Sequence, residues 1–247
     1  MEFFTLMFIG MIYELIIILI SAILLILILK RYQIKKHRLT LILFFIFLNL
    51  TLAIIFSWLS KLIVLYSQIN YLEDNTLPDP GTPFAWIMFR IIEFRISFVF
   101  VSIGTILSYI LKVRVFDQGY KPYERNLIFS FGIFTILYAF FVFIRGFLFL
   151  DVLAFLFVSI LMIIVYIPFL FRCFNAYTSV EKRTYQIAFI SLAIMSLSFV
   201  LIFIMFLIDR VLILLGDPGF TVFYFAAWAF SIIGIVSAYL GYIRPRS

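Results

Sequence analysis

Residues 5–29 read TLMFIGMIYELIIILISAILLILIL, an unbroken apolar run in which Glu14 is the one charged side chain. At about 1.5 Å per residue, a run of more than about 18 apolar residues is long enough to cross the hydrocarbon core of a bilayer as a helix. The run stops at Lys30-Arg31, and a second one starts near residue 40. Outward from there the pattern recurs, giving seven predicted spans at about 5–29, 40–67, 84–111, 126–149, 152–171, 184–208 and 220–243. The stretches between them are too short and too apolar to be soluble domains. The predicted fold is therefore all-α: a polytopic membrane protein, one seven-helix transmembrane bundle over residues 1–247. The first span begins beside Met1 with no basic segment ahead of it and no small-residue cleavage site after it, so it reads as a retained helix and not a signal peptide.

Composition agrees. The chain of 247 residues is 66% hydrophobic and 13% charged, against about 45–50% and about 25% in soluble domains. A chain of this size cannot hide so much apolar surface in its own core, which excludes a soluble enzyme, a disordered tail and a disulfide-stapled module. Its formal charge of +7 invites a nucleic-acid reading, but the placement of the charges explains it otherwise. Fourteen of the 19 Lys and Arg residues fall after the first, third and fifth spans or in the tail: Lys30, Arg31, Lys35, Lys36 and Arg38; Lys112, Arg114, Lys121 and Arg125; Arg172, Lys182 and Arg183; Arg244 and Arg246. The alternate links hold Glu2, Glu73, Asp74, Asp79, Asp151, Asp209 and Asp217, with Arg210 at their edge. Basic links favour the cytoplasmic side, so the expected orientation in the cell membrane is N-terminus outside and C-terminus inside. The expected partner is the lipid bilayer; no nucleic acid is expected.

Asp79-Pro80-Gly81 precedes the third span and Asp217-Pro218-Gly219 the seventh. Asp followed by Pro is a helix-start signal, because the carboxylate can cap free N–H groups and proline fits the first turn. Pairing the third span with the seventh leaves the fourth as a linker, which would make a three-plus-one-plus-three repeat.

The side chains of familiar catalysis are missing. His37 is the only histidine and Cys173 the only cysteine, no glycine-rich phosphate loop is present, and no aspartate falls within a predicted span. No catalytic residue, metal ligand set or cofactor is expected, and the chain reads as non-enzymatic. Aromatic residues make up 21% of the sequence; the Phe-rich fourth and seventh spans read as packing or lipid-facing surfaces.

The candidate site is the charge inside the spans. Glu14, Arg90, Glu93 and Arg95 form its primary set, with Lys61 and Arg145 secondary. All six fall in the outer half of the expected bilayer, with Glu14, Glu93 and Arg95 about 14–16 Å deep and the others about 6–10 Å deep. A charge near the bilayer centre costs about 2.5–3.5 kcal/mol and so tends to face the bundle interior and pair. Arg90 and Glu93 share a helix face at a spacing of three, which leaves Arg95 for Glu14. One reading is structural, with these two ion pairs clipping spans one and three. A second is an outward-open pocket whose surplus of two positive charges suits an anionic ligand. The third, a proton or ion path, lacks charged groups further in.

The Arg90-x-x-Glu93 pattern in a seven-helix, N-terminus-out topology resembles the arginine-and-counterion pair of the microbial rhodopsins. That resemblance implies retinal on a lysine of the last span, yet residues 220–243 contain no lysine. The topology also resembles that of small three-plus-one-plus-three sugar transporters, whose early-span prolines are missing here, and of sensor-kinase input domains. The leading expectation is a sensor- or receptor-like protein with an outward-facing polar pocket for a small anionic ligand, signalling to a cytoplasmic protein through its basic inner links. The alternatives are a small secondary transporter and a ligand-free scaffold subunit.

Overall fold

A computed structural model describes residues 2–67, 82–117, 119–144 and 147–243. Its helices are α1 (Glu2–Lys35), α2 (Arg38–Ser67), α3 (Pro83–Ile92), α4 (Arg95–Phe116), α5 (Pro122–Phe141), α6 (Leu148–Ser179), α7 (Arg183–Leu214) and α8 (Val222–Ala238), the last continuing as a π-helical turn, Tyr239–Ile243. Seven of them are long and apolar enough to cross a membrane, and α3 is a shorter apolar helix. The described residues are helical throughout apart from their links, as the hydropathy pattern predicts.

Several boundaries differ from expectation; α6, for instance, covers Leu148–Ser179 where 152–171 was predicted. The predicted third span is two helices, broken at Glu93-Phe94, where Phe94 takes the left-handed conformation (φ 59°, ψ 8°). The predicted fourth span stops at Phe141, well short of residue 149. The sixth was expected to end at residue 208, but α7 runs on to Leu214. Asp209-Arg210 suggested a loop, yet apolar Val211-Leu212-Ile213-Leu214 follows, and a charged pair with apolar residues on both sides belongs inside the helix.

The helix starts also differ. Thr82 caps α3, its hydroxyl accepting from Ala85 N–H, with Pro83 in the first turn. Asp79-Pro80-Gly81 lies outside the described residues. Thr221 caps α8, while Asp217 turns back to accept from Gly219 N–H at 3.2 Å. The residues after each Asp-Pro-Gly therefore do the capping expected of the aspartate.

Helices α1, α2, α4, α6, α7 and α8 form a closed ring, each packing on its neighbours in that order and α8 returning to α1; α5 lies outside, over the seam between α4 and α6. Small residues set the closest approaches. A Cβ on Gly234 of α8 would come within 2.7 Å of the Phe199 ring of α7, and one on Gly241 within 2.5 Å of Leu192. The small-residue face of the last span is thus spent on α7. Successive spans run antiparallel, so one end of the ring gathers the basic links and the other the acidic ones. At the basic end Lys112 pairs with Glu124, and Arg172 Nη2 meets Asp117 Oδ1 at 2.9 Å.

Candidate ligand site at the acidic end

Glu14 and Lys61 are both fully buried, and they face each other across the α1–α2 contact with Nζ 2.7 Å from Oε1. Ser57, one turn before Lys61 on the same face of α2, donates to the same Oε1 at 2.9 Å, and Tyr224 of α8 donates to it at 3.0 Å. Gly10 makes the last contact possible. It sits one turn before Glu14, and a Cβ there would lie 3.0 Å from the Tyr224 hydroxyl. The Glu14 cluster therefore ties three of the six ring helices together. The expected Glu14–Arg95 pair is corrected: Lys61, placed in the secondary set, is the partner, and it is wholly inside.

Arg95 is also fully buried, and its Nη2 donates to Asp151 of α6. Among the described residues its Nε and Nη1 have no hydrogen-bond partner; the rings of Tyr138 and Phe143 lie 5.9 and 5.7 Å from the guanidinium carbon. Arg90 does not bridge to Glu93 as expected. Its Nε donates to Phe140 O at 2.6 Å and its Nη1 to Trp86 O at 2.9 Å, while the guanidinium stacks on Trp86 at 3.5 Å. The three-residue spacing fails because α3 ends at Ile92, so Glu93 is a cap and not a helix-face residue. Glu93 sits against Asp151 instead. Arg145 lies outside the described residues.

The break between α3 and α4 shapes the site. Irregular backbone at membrane depth persists where it is buried in protein or lines a cavity, and a left-handed non-glycine residue costs about 1–2 kcal/mol. Ser60 Oγ donates to the freed Ile92 carbonyl at 2.7 Å. The Phe94 ring is held between two cations, with Lys61 Nζ 4.8 Å and the Arg210 guanidinium carbon 4.9 Å from its centre. Phe94 thus faces two cavities. A vestibule of about 310 Å³ at the acidic end is lined by Glu93, Asp151, Asp209, Arg210, Asp217 and neighbouring apolar groups. Beyond it, a central cavity of about 100 Å³ takes its walls from all six ring helices and is mainly aromatic and aliphatic. Phe94, Asp209, Arg210 and Tyr224 line both.

The charges at this partition are not equivalent. Asp151 is engaged by Arg95. Asp209 accepts from Thr221 N–H at 3.0 Å and from its hydroxyl at 2.7 Å. Arg210 has no carboxylate within ion-pair distance among the described residues, and its guanidinium lies over Phe94 and, at 5.2 Å, over Phe155. The formal charge of the vestibule lining is negative, where the spans alone suggested a positive surplus. Hydrogen-bonding capacity runs the other way: Asp151, Asp209 and Asp217 each accept from a donor, while Arg210 has no acceptor among the described residues. Among the described residues, no three His, Cys, Asp or Glu side chains converge to hold a metal ion.

Asp151, Asp209, Arg210, Tyr224 and Ser57 were not expected at the site. The aspartates and Arg210 read as link residues because the α6 and α7 boundaries were misplaced, and the apolar residues after Arg210 were the available signal. Nothing in the sequence marks Tyr224 or Ser57 among so many hydroxyl and aromatic side chains. No protein-family model, curated protein or solved structure matches the chain.

Proposed function

We propose that this multi-pass membrane protein is a non-enzymatic, receptor-like protein of the cell membrane, with its N-terminus and acidic end outside, whose vestibule binds a small organic carboxylate at Arg210. The observation that carries this reading is Arg210 itself, a guanidinium without a carboxylate partner among the described residues, at the junction of the polar and apolar cavities. A planar, permanently charged guanidinium over aromatic rings matches a carboxylate bidentately. Glu93, Arg95 and Asp151 shape the vestibule wall, and the Glu14–Lys61–Tyr224 cluster braces the helices behind it. The basic links at the opposite end supply the surface for a cytoplasmic protein partner. The test is a thermal-shift assay on purified protein in detergent with propionate and, as the charge control, propylamine. Propionate stabilises the wild type and not Arg210→Gln, and propylamine stabilises neither. Stabilisation by the amine alone overturns the reading.

A second reading, a small secondary transporter, is favoured by one observation. The central cavity shares Phe47 and Phe199 with a small void of about 10 Å³. That void shares Leu43, Leu111 and Tyr242 with a cavity of about 230 Å³ at the basic end. A string of cavities along the axis of a ring divisible into α1-α2-α4 and α6-α7-α8 is what two rocking three-helix units need. Uptake of labelled propionate into proteoliposomes separates transport from reception. A scaffold without a ligand predicts no thermal shift with any carboxylate.

A further inference from the structure

The central cavity has a composition that a small polar ligand does not explain. Phe98, Phe155, Phe199, Phe203 and Phe206 line it with aliphatic neighbours, and Arg210 stands at its outer mouth. We infer that the central cavity is the tail subsite of the ligand whose carboxylate sits on Arg210, and that the ligand is a medium-chain carboxylic acid. The inference rests on the carboxylate reading above.

Size sets the chain length. At about 10–15 Å³ of such volume per water-sized group, a cavity of about 100 Å³ holds roughly seven to ten of them, and a methylene is about the size of a water. The Phe94 break lets the tail enter: continuing the α-helix from α3 into α4 would carry a different backbone path through the shared wall, whereas the left-handed residue turns its ring between Lys61 and Arg210.

The experiment is calorimetric titration of detergent-purified protein with straight-chain carboxylates from acetate to tetradecanoate. Affinity of the wild type rises about fourfold per methylene, levelling off between heptanoate and decanoate. Ala53→Phe, which fills the cavity from its α2 wall, retains acetate binding and loses the rise. A rise of equal slope in Ala53→Phe reports detergent partitioning and overturns the tail subsite, as does no rise in the wild type. If Ala53→Phe fails to fold, quenching of indole fluorescence by 8-bromooctanoate replaces it. Quenching present in the wild type and lost in Trp228→Phe supports the subsite, and equal quenching in both refutes it. The carboxylate reading fails separately: acetate then binds Arg210→Gln as well as it binds the wild type, whatever the tail does.

Discussion

Replacing Lys61 with methionine tests whether the buried cluster holds α1, α2 and α8 together. The substitution keeps most of the side-chain volume and removes the charge, leaving Glu14 with the Ser57 and Tyr224 hydroxyls as donors. At the observed 2.7 Å, the bare attraction between unit charges is about 6 kcal/mol for an effective dielectric constant of about 20. The two remaining donors offset part of that loss, and breaking buried pairs by removing one partner costs about 3–5 kcal/mol. For a chain of this size each kcal/mol lowers the melting temperature by about 2–4 °C, so Lys61→Met is expected to melt roughly 10 °C below the wild type. The double variant Glu14→Gln/Lys61→Met leaves no uncompensated charge and recovers most of the loss. Thermal unfolding in one detergent, followed by scattering and by intrinsic fluorescence, reads both. If Lys61→Met melts within a degree or so of the wild type, or the double variant is no more stable than the single, the cluster is not the brace described above.

Gly10→Ala forces the Tyr224 hydroxyl away from Glu14, because the added Cβ would stand 3.0 Å from it. It is expected to cost about 1–2 kcal/mol, whereas Gly10→Ala in a Tyr224→Phe background adds much less, as a double-mutant cycle by thermal unfolding will show. Asp151→Asn removes the charge paired with the fully buried Arg95 and is expected to destabilise by about 3 kcal/mol or more; Asp151→Asn together with Arg95→Met restores most of this in the same assay. In a Cys173→Ser background, cysteine at Leu215 of the acidic end reacts with an impermeant maleimide on intact cells. Cysteine at Ile34 of the basic end reacts only after permeabilisation; both positions are highly exposed. The opposite pattern reverses the proposed orientation.

The spans were legible because an apolar run of bilayer length has few other fates, and α1 and α2 fall close to where hydropathy puts them. The break at Glu93-Phe94 was not, since no glycine or proline marks it. What stabilises it is tertiary: Ser60 on the Ile92 carbonyl, and two cations on the Phe94 ring. Site partners followed the same division. That Glu14 and Arg95 would be buried was readable from their depth in apolar runs. Their partners depended on which helices adjoin, and the ring sets Lys61 beside Glu14 and Asp151 beside Arg95. Charge counting pointed to an anion through a positive surplus that the vestibule lacks. The same ligand class returns through a different argument, the missing acceptor at Arg210. The Phe-rich fourth and seventh spans are α5 and α8, and neither contributes a phenylalanine to the central cavity; those of α4, α6 and α7, which composition did not single out, wall it.

The central claim is that a carboxylate occupies the junction between the two cavities. The direct measurement is an anomalous difference map from crystals grown with 2-bromooctanoate, whose bromine sits next to the carboxylate. A peak is expected in contact with the Arg210 guanidinium, between the Phe94 and Phe155 rings. A peak confined to the lipid-facing surface, or to the basic-end cavity beside Arg31, would contradict it.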